Sequence, residues 1–249
     1  MRTRSRCGLL VLTAAAAWAP PGARAADAAD AGASAGPDFK LTLGRYGSDD
    51  GNTGLDANLR GSLGAHTVWV GHYRDRDGYR QARSGYEYRI DGETLRTVLS
   101  LQSASGGVVV GSVTSEVGGH NYAIVGFGRT NVRNYVNLNY DPNDAITLGV
   151  GSRAIEQTEL TLFNVHDDRL HTQQNVTHAV LRRRFEGDQR LTLDLFSKRG
   201  YTGDGLWLSQ DKSWSLGYDR GPLFVKFTVD PHAGFTSATQ KRVQLGTRF

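Results

Sequence analysis

Seven histidines and a scatter of carboxylates are the residues of this 249-residue chain best suited to chemistry. The densest group is His166-Asp167-Asp168-Arg169-Leu170-His171, with His178 a short way downstream. An imidazole in reach of two carboxylates can take a proton from water or hold a metal ion. The same composition also describes a solvated polar loop, and the spacing matches no metal-binding motif. No catalytic or metal-ligating residue is therefore assigned, and no cofactor is expected. Asp49-Asp50-Gly51-Asn52-Thr53-Gly54 has the texture of a calcium loop but lacks the downstream bidentate acid, so it reads as a hydrated turn. The pairs Gly106-Gly107 and Gly118-Gly119 are followed by no helix that would supply a phosphate-binding N-terminus.

A second set of charged and polar residues is spread along the chain at strand spacing. Arg83, Glu87, Arg89, Arg96, Asn137, Asn139, Arg182, Arg184, Asp194, Lys226, Asp230, Arg242 and Arg248 all fall on the polar parity of alternating runs. Rows of opposed charge across a wet space can set ion or solute preference, or can lock together as salt bridges that stiffen a wall. Either role depends on the elements that carry them.

Those elements are strands. From Phe39 onward, short runs of alternating polarity recur every 10–15 residues, separated by Gly, Asn, Asp and Pro clusters. Leu95, Thr97, Leu99 and Leu101 alternate with Arg96, Ser100 and Gln102; Leu223, Val225, Phe227 and Val229 alternate with Phe224, Lys226, Thr228 and Asp230. Val136, Leu138 and Tyr140 alternate in the same way with Asn137 and Asn139. Asp91-Gly92, Asp141-Pro142-Asn143-Asp144, Glu186-Gly187-Asp188 and Asp219-Arg220-Gly221-Pro222 supply the turns. No window shows a helical apolar stripe, so the fold class is all-β.

The ends of the chain add location. Arg2, Arg4 and Arg6 precede an apolar run from Cys7 to Trp18, and Ala23-Arg24-Ala25 has the small-x-small form of a cleavage site. Residues 1–25 thus read as a secretory signal peptide cut before Ala26. The apolar run is shorter than the roughly 20 residues a spanning helix needs. The Arg-Ser-Arg before Cys7 excludes a lipoprotein signal. Four of the 29 basic residues and none of the 25 acidic ones precede Ala26, so the chain beyond it carries equal numbers of each sign. That balance removes the motive for a nucleic-acid partner. Cleavage also removes the single Cys, and with it any disulfide or thiolate chemistry. Residues 26–37, rich in Ala, Gly and Asp, read as a flexible lead-in to a barrel domain at 38–249.

At the other end, Val243, Leu245, Thr247 and Phe249 share one parity and run to the carboxyl terminus. A final strand ending on an aromatic residue resembles those of Gram-negative outer-membrane β-barrel proteins. The resemblance implies that Val243, Leu245 and Phe249 form an assembly signal read by the barrel-assembly machinery, with periplasmic chaperones during export and outer-membrane lipid and lipopolysaccharide around the finished barrel. It extends to the plan of the chain but not to a single functional family, and no motif of the known barrel proteases, phospholipases or lipid A-modifying enzymes is present.

A soluble sandwich would place the polar parity in solvent; a membrane barrel places it in a wet lumen, with the Leu/Val/Phe parity facing lipid. The signal peptide, the terminal Phe249 and the aromatic residues near strand ends (Trp69, Tyr73, Tyr86, Tyr140, Trp214, Tyr218), suited to interfacial girdles, favour the second. Strand counting finds 15 candidate segments, starting near residues 39, 54, 66, 83, 94, 108, 119, 132, 144, 157, 174, 189, 212, 223 and 241. Bacterial single-chain barrels use an even number. The alternation of long and short links breaks between Asp141 and His166, so one segment there is spurious. About 14 strands are expected, with 12 and 16 as alternatives. Outer loops are expected at Gly47–Gly54, Arg74–Ala82, His166–Gln174, Tyr201–Lys212 and Pro231–Gln240; Tyr201–Lys212 either folds inward as a constriction or is one more strand.

The expected function is a small channel for ions or hydrophilic solutes. The alternatives are an outer-membrane enzyme with a His/Asp site at the extracellular rim, and a non-conducting structural or export barrel.

Overall fold

The computed structural model describes residues 38–138, 141–167 and 169–249. The signal-peptide and lead-in readings fall on residues outside this set. The first seven strands are β1 (Asp38–Ser48), β2 (Thr53–Leu63), β3 (His66–Asp75), β4 (Arg80–Asp91), β5 (Leu95–Ala104), β6 (Val108–Gly118) and β7 (Asn121–Thr130). The second seven are β8 (Ile146–Ser152), β9 (Thr158–Asp167), β10 (Gln174–Phe185), β11 (Gln189–Tyr201), β12 (Trp207–Arg220), β13 (Leu223–Asp230) and β14 (Gln240–Arg248). Each pairs antiparallel with its chain neighbours, and β14 pairs with β1, so the sheet closes into a 14-strand up-and-down barrel.

Closure is complete at the seam. Lys40 stands opposite Arg248, Leu43 opposite Leu245 and Tyr46 opposite Arg242. Beyond the last ladder pair, Phe39 and Phe249 exchange both backbone hydrogen bonds (2.8 and 3.0 Å), and their rings stack at 5.8 Å. A ring of strands has no unpaired edge, which satisfies every strand's backbone groups internally as a hydrocarbon surrounding demands.

The alternation is inside out relative to a soluble protein. On β5, Leu99 and Leu101 are exposed on the outer surface, while Ser100 and Gln102 are buried inside. The same holds for Leu148 and Val150 against Thr147 on β8. Several inward glycines make room for inward aromatic rings. A Cβ at Gly54 would overlap the Tyr73 ring, one at Gly85 the Trp69 indole and one at Gly151 the Tyr122 ring. Trp69 and Tyr73 are therefore lumen residues, which corrects their expected girdle role. Tyr86 and Trp214 do face outward, and Tyr140 lies outside the described residues.

Links at the end holding the barrel's two termini are short: 64–65, 92–94, 119–120, 153–157, 186–188 and 221–222. Links at the opposite end are 49–52, 76–79, 105–107, 131–145, 168–173, 202–206 and 231–239, the last containing a 3-10 turn at Ala233–Phe235. All five expected outer loops lie at this second end. Of Tyr201–Lys212, only 202–206 is a link; Trp207 already begins β12, so the stretch lengthens a strand already counted and is neither one more strand nor an inward constriction. The spurious segment is not between Asp141 and His166, as expected, but the one near residue 132: among the described residues no strand forms between β7 and β8.

Candidate functional site

The link 131–145 is the site's centre, because it turns into the barrel. It leaves β7 through Val132, whose φ of 54° reverses the chain, and its far end is tied at the root by Asp144, which accepts the backbone N–H of Thr130 (2.9 Å) and the guanidinium of Arg169. Between these points the backbone meets walls far from its origin. The Gln81 amide on β4 acts as a substitute strand partner. Its Oε1 accepts the Val136 N–H (2.7 Å) and its Nε2 donates to the Val136 carbonyl (2.8 Å). Arg242 on β14 donates through Nη1 to the Leu138 carbonyl (2.7 Å). In the ring order β14 is seven strands from β7, the greatest separation a 14-strand barrel allows, so the segment crosses the lumen. Its side chains pack against the lumen wall. Tyr135 packs on Val108 and Val110, and Ala145 joins Tyr122, Ile124, Phe163, Val165 and Val180. A Cβ at Gly128 would strike the Asn143 carbonyl, so a glycine on β7 is what admits the returning chain.

Asp141 makes the deepest anchor. It is fully buried and accepts from Nε2 of His178 (2.9 Å), whose Nδ1 faces Asp194 at the same distance. A carboxylate only accepts, so the arrangement is satisfied when both ring nitrogens donate. The imidazole is held flat between Phe163 (4.6 Å) and Phe196 (5.0 Å), its direct register partners on β9 and β11. Nearby, Lys198 donates to both oxygens of Asp230 (2.6 and 2.9 Å), Ser213 donates to Asp230 (3.0 Å), and Arg242 approaches it at 3.6 Å. Arg83 pairs with Asp56. In this middle zone four cations meet four carboxylates, and the charges balance.

Toward the termini the pairing changes. Arg60 meets Glu87 in a two-point contact (3.1 and 3.2 Å). Arg153 and Arg182 share Glu159 (both 2.7 Å), with Glu116 on the far side of Arg153 (2.8 Å). Arg190 and Arg248 share Asp219 (3.1 and 3.0 Å). Arg153, in the link after β8, lies 4.1 Å over the Tyr122 ring. Burial works against its charge, but the hydrogen bond to Glu116 and the field of Glu159 outweigh burial and hold its pKa above the ordinary value.

Of the sequence-derived residues, Arg83, Glu87, Arg182, Asp194, Asp230 and Arg242 lie on inward parities with the partners just given. Arg184 and Lys226 also lie on inward parities. Arg248 is inward at the last position of β14, and Arg89 is inward near the rim, bonded to Asp91 (2.6 Å). Arg96 lies on the inward parity at the exposed start of β5. Asn137 is not on a strand: it sits on the inward segment and donates to the Asp141 carbonyl (3.2 Å). Asn139 lies outside the described residues. Val243 and Leu245 face outward, and Phe249 is exposed beside the seam. Sequence reasoning did not single out Asp56, Glu116, Asp141, Glu159 or Asp219 as site residues. Each has its charge on the inward side or on the inward segment, but its partner lies on another strand.

The histidine cluster does not assemble. His166 is on the outer parity of β9, bonded to Asn175 (3.1 Å), and His171 is exposed in the following link, whereas His178 is at the barrel centre. Asp168 lies outside the described residues.

No protein-family model matches this sequence, and no curated protein matches it. Among solved structures it is similar to the outer membrane protein Omp33 of Acinetobacter baumannii, with a TM-score of 0.56 and 10% identity over 85% of this chain and 98% of that one. The KdgM porin gives a TM-score of 0.46 at 10% identity, over 84% of this chain and 99% of that one. A triple mutant of the Rhodopseudomonas blastica porin gives 0.46 at 10% identity, over 86% and 99%. What the chain shares with Omp33, at this identity, is the fold of an outer-membrane β-barrel.

Proposed function

We propose that this protein is a bacterial outer-membrane channel for ions and small hydrophilic solutes, with a lumen narrowed by the segment 131–145. The observation that carries the reading is that segment, pinned across the lumen by Gln81, His178 and Arg242 while charged side chains line the wall below it. A 14-strand ring encloses more space than its own inward side chains fill, and a polar interior holds water. An inward segment then sets the width of the path.

On this reading the short links face the periplasm and the longer ones the exterior. Residues 1–25 direct export and are removed before Ala26. Val243, Leu245 and Phe249 present an apolar terminal strand to the assembly machinery, and lipid and lipopolysaccharide surround the finished wall.

Single-channel recording of the purified protein in a planar bilayer tests this. Small, reproducible conductance steps are expected, and a variant in which residues 132–143 are replaced by a short glycine-containing turn should conduct several-fold more. A folded barrel silent in both forms would overturn the channel reading.

A further inference from the structure

The distribution of charge along the lumen assigns a solute class. We infer that the channel prefers small anions and holds them on the terminus-side half of its wall, an inference that rests on the channel reading.

In the middle zone cations and carboxylates cancel one for one, as described. Below it they do not. Five arginines (Arg60, Arg153, Arg182, Arg190 and Arg248) are served by four carboxylates, because Glu159 and Asp219 are each shared by two guanidinium groups. Four more cations lie on the same inward surface. Lys40 is near the start of β1 and Arg96 near the start of β5; Arg184 is next to the end of β10, and Lys226 lies midway along β13. Among the described residues, the other carboxylates on inward parities at this end are Asp91, which is paired with Arg89 at the rim, and Asp38, at the first position of β1. The wall between the His178 level and the rim thus carries four positive charges in excess.

The chain beyond Ala26 has equal numbers of bases and acids, so this excess is a segregation of charge. The compensating carboxylates include Glu93, Glu156, Glu186 and Asp188, all exposed on the terminus-side links. There they face bulk electrolyte, which screens them within about 8 Å at physiological ionic strength. The wall cations line a recess between low-dielectric walls, where field lines are focused and counter-ions accumulate. The excess lies on one side of the constriction, so the field is asymmetric along the axis.

Recording in a planar bilayer under a tenfold potassium chloride gradient decides the matter. The reversal potential should take the sign of chloride, and current at equal and opposite voltages should differ in size. Adding inorganic phosphate on the terminus side should reduce the chloride current. The triple variant R96E/R184E/K226E moves the wall from four positive charges to two negative and should bring the reversal potential to or past zero. The single variants R96E and K226E should shift it the same way by less, which keeps the test available if the triple variant fails to assemble. Current with the sign of potassium, or a reversal potential unmoved by all three variants, would overturn the anion inference and leave the channel standing. A barrel that carries no current would overturn both.

Discussion

His178 shows how one side chain couples the wall to the constriction. Its two nitrogens bridge Asp194 on β11 and Asp141 on the inward segment, and two phenyl rings fix its plane. Removing one member of a buried charged network leaves the others uncompensated, at a cost of roughly 3–5 kcal/mol. His178→Phe keeps the stack with Phe163 and Phe196 but deletes both donors. We expect the segment to leave its seat and single-channel conductance to rise, while the band shift on heating still reports a closed barrel. Conductance equal to the parent's in a folded H178F barrel would mean that the bridge does not hold the constriction. The sequence marked His178 as capable of chemistry, though as part of a rim cluster with His166 and His171. Strand parity separates them: both are even-numbered, but even positions face outward on β9 and inward on β10. Neither burial nor the Asp141 contact follows from their spacing.

Among the elements, fourteen of the fifteen candidate segments become strands, and the exception is informative. Val136 and Leu138 alternate with Asn137 as the residues of a strand do, yet this stretch lies inside the barrel, with the Val136 backbone bonded to Gln81 and the Leu138 carbonyl to Arg242. Alternation records that one side of an extended chain is apolar, not which surface covers it. Tyr135, on the opposite parity, is the residue that packs on Val108 and Val110. The break in link lengths carried the signal, since an even number of strands is needed for both ends of the barrel chain to emerge on one side. The inward glycines operate at the same level. Gly151→Leu would drive a side chain into the Tyr122 ring, which also donates to Glu159 (2.6 Å) and lies under Arg153. Overpacking of this kind costs about 1–3 kcal/mol. A lower midpoint for heat- or urea-induced unfolding is expected; a midpoint equal to the parent's would show that the ring can move aside freely.

Taken whole, the molecule turns its apolar residues outward and its charges inward, and the outer surface can be tested without reference to transport. Leu148 is 57% exposed on β8, opposite Val125 midway along β7. An arginine on the lipid face near mid-membrane costs about 2–4 kcal/mol. Leu148→Arg should therefore lower the urea midpoint for unfolding from lipid vesicles, and an unchanged midpoint would place this position outside the hydrocarbon. The sequence by itself determined the all-β class, the parity of the strands that alternate cleanly, the lipid and lumen faces that follow from it, and the end at which the long links gather; β3, with Trp69 and Tyr73 inward, was not among them. These are local properties, written in residues two apart and in turns a few residues long. Only the tertiary structure decided which link enters the lumen and which charges meet there. Arg83 reaches Asp56 across an intervening strand, Arg242 reaches Leu138 from the far side of the ring, and Glu159 serves two arginines at once. Such contacts are made across the enclosed space, between residues whose separation along the chain says nothing of their distance once the ring has closed.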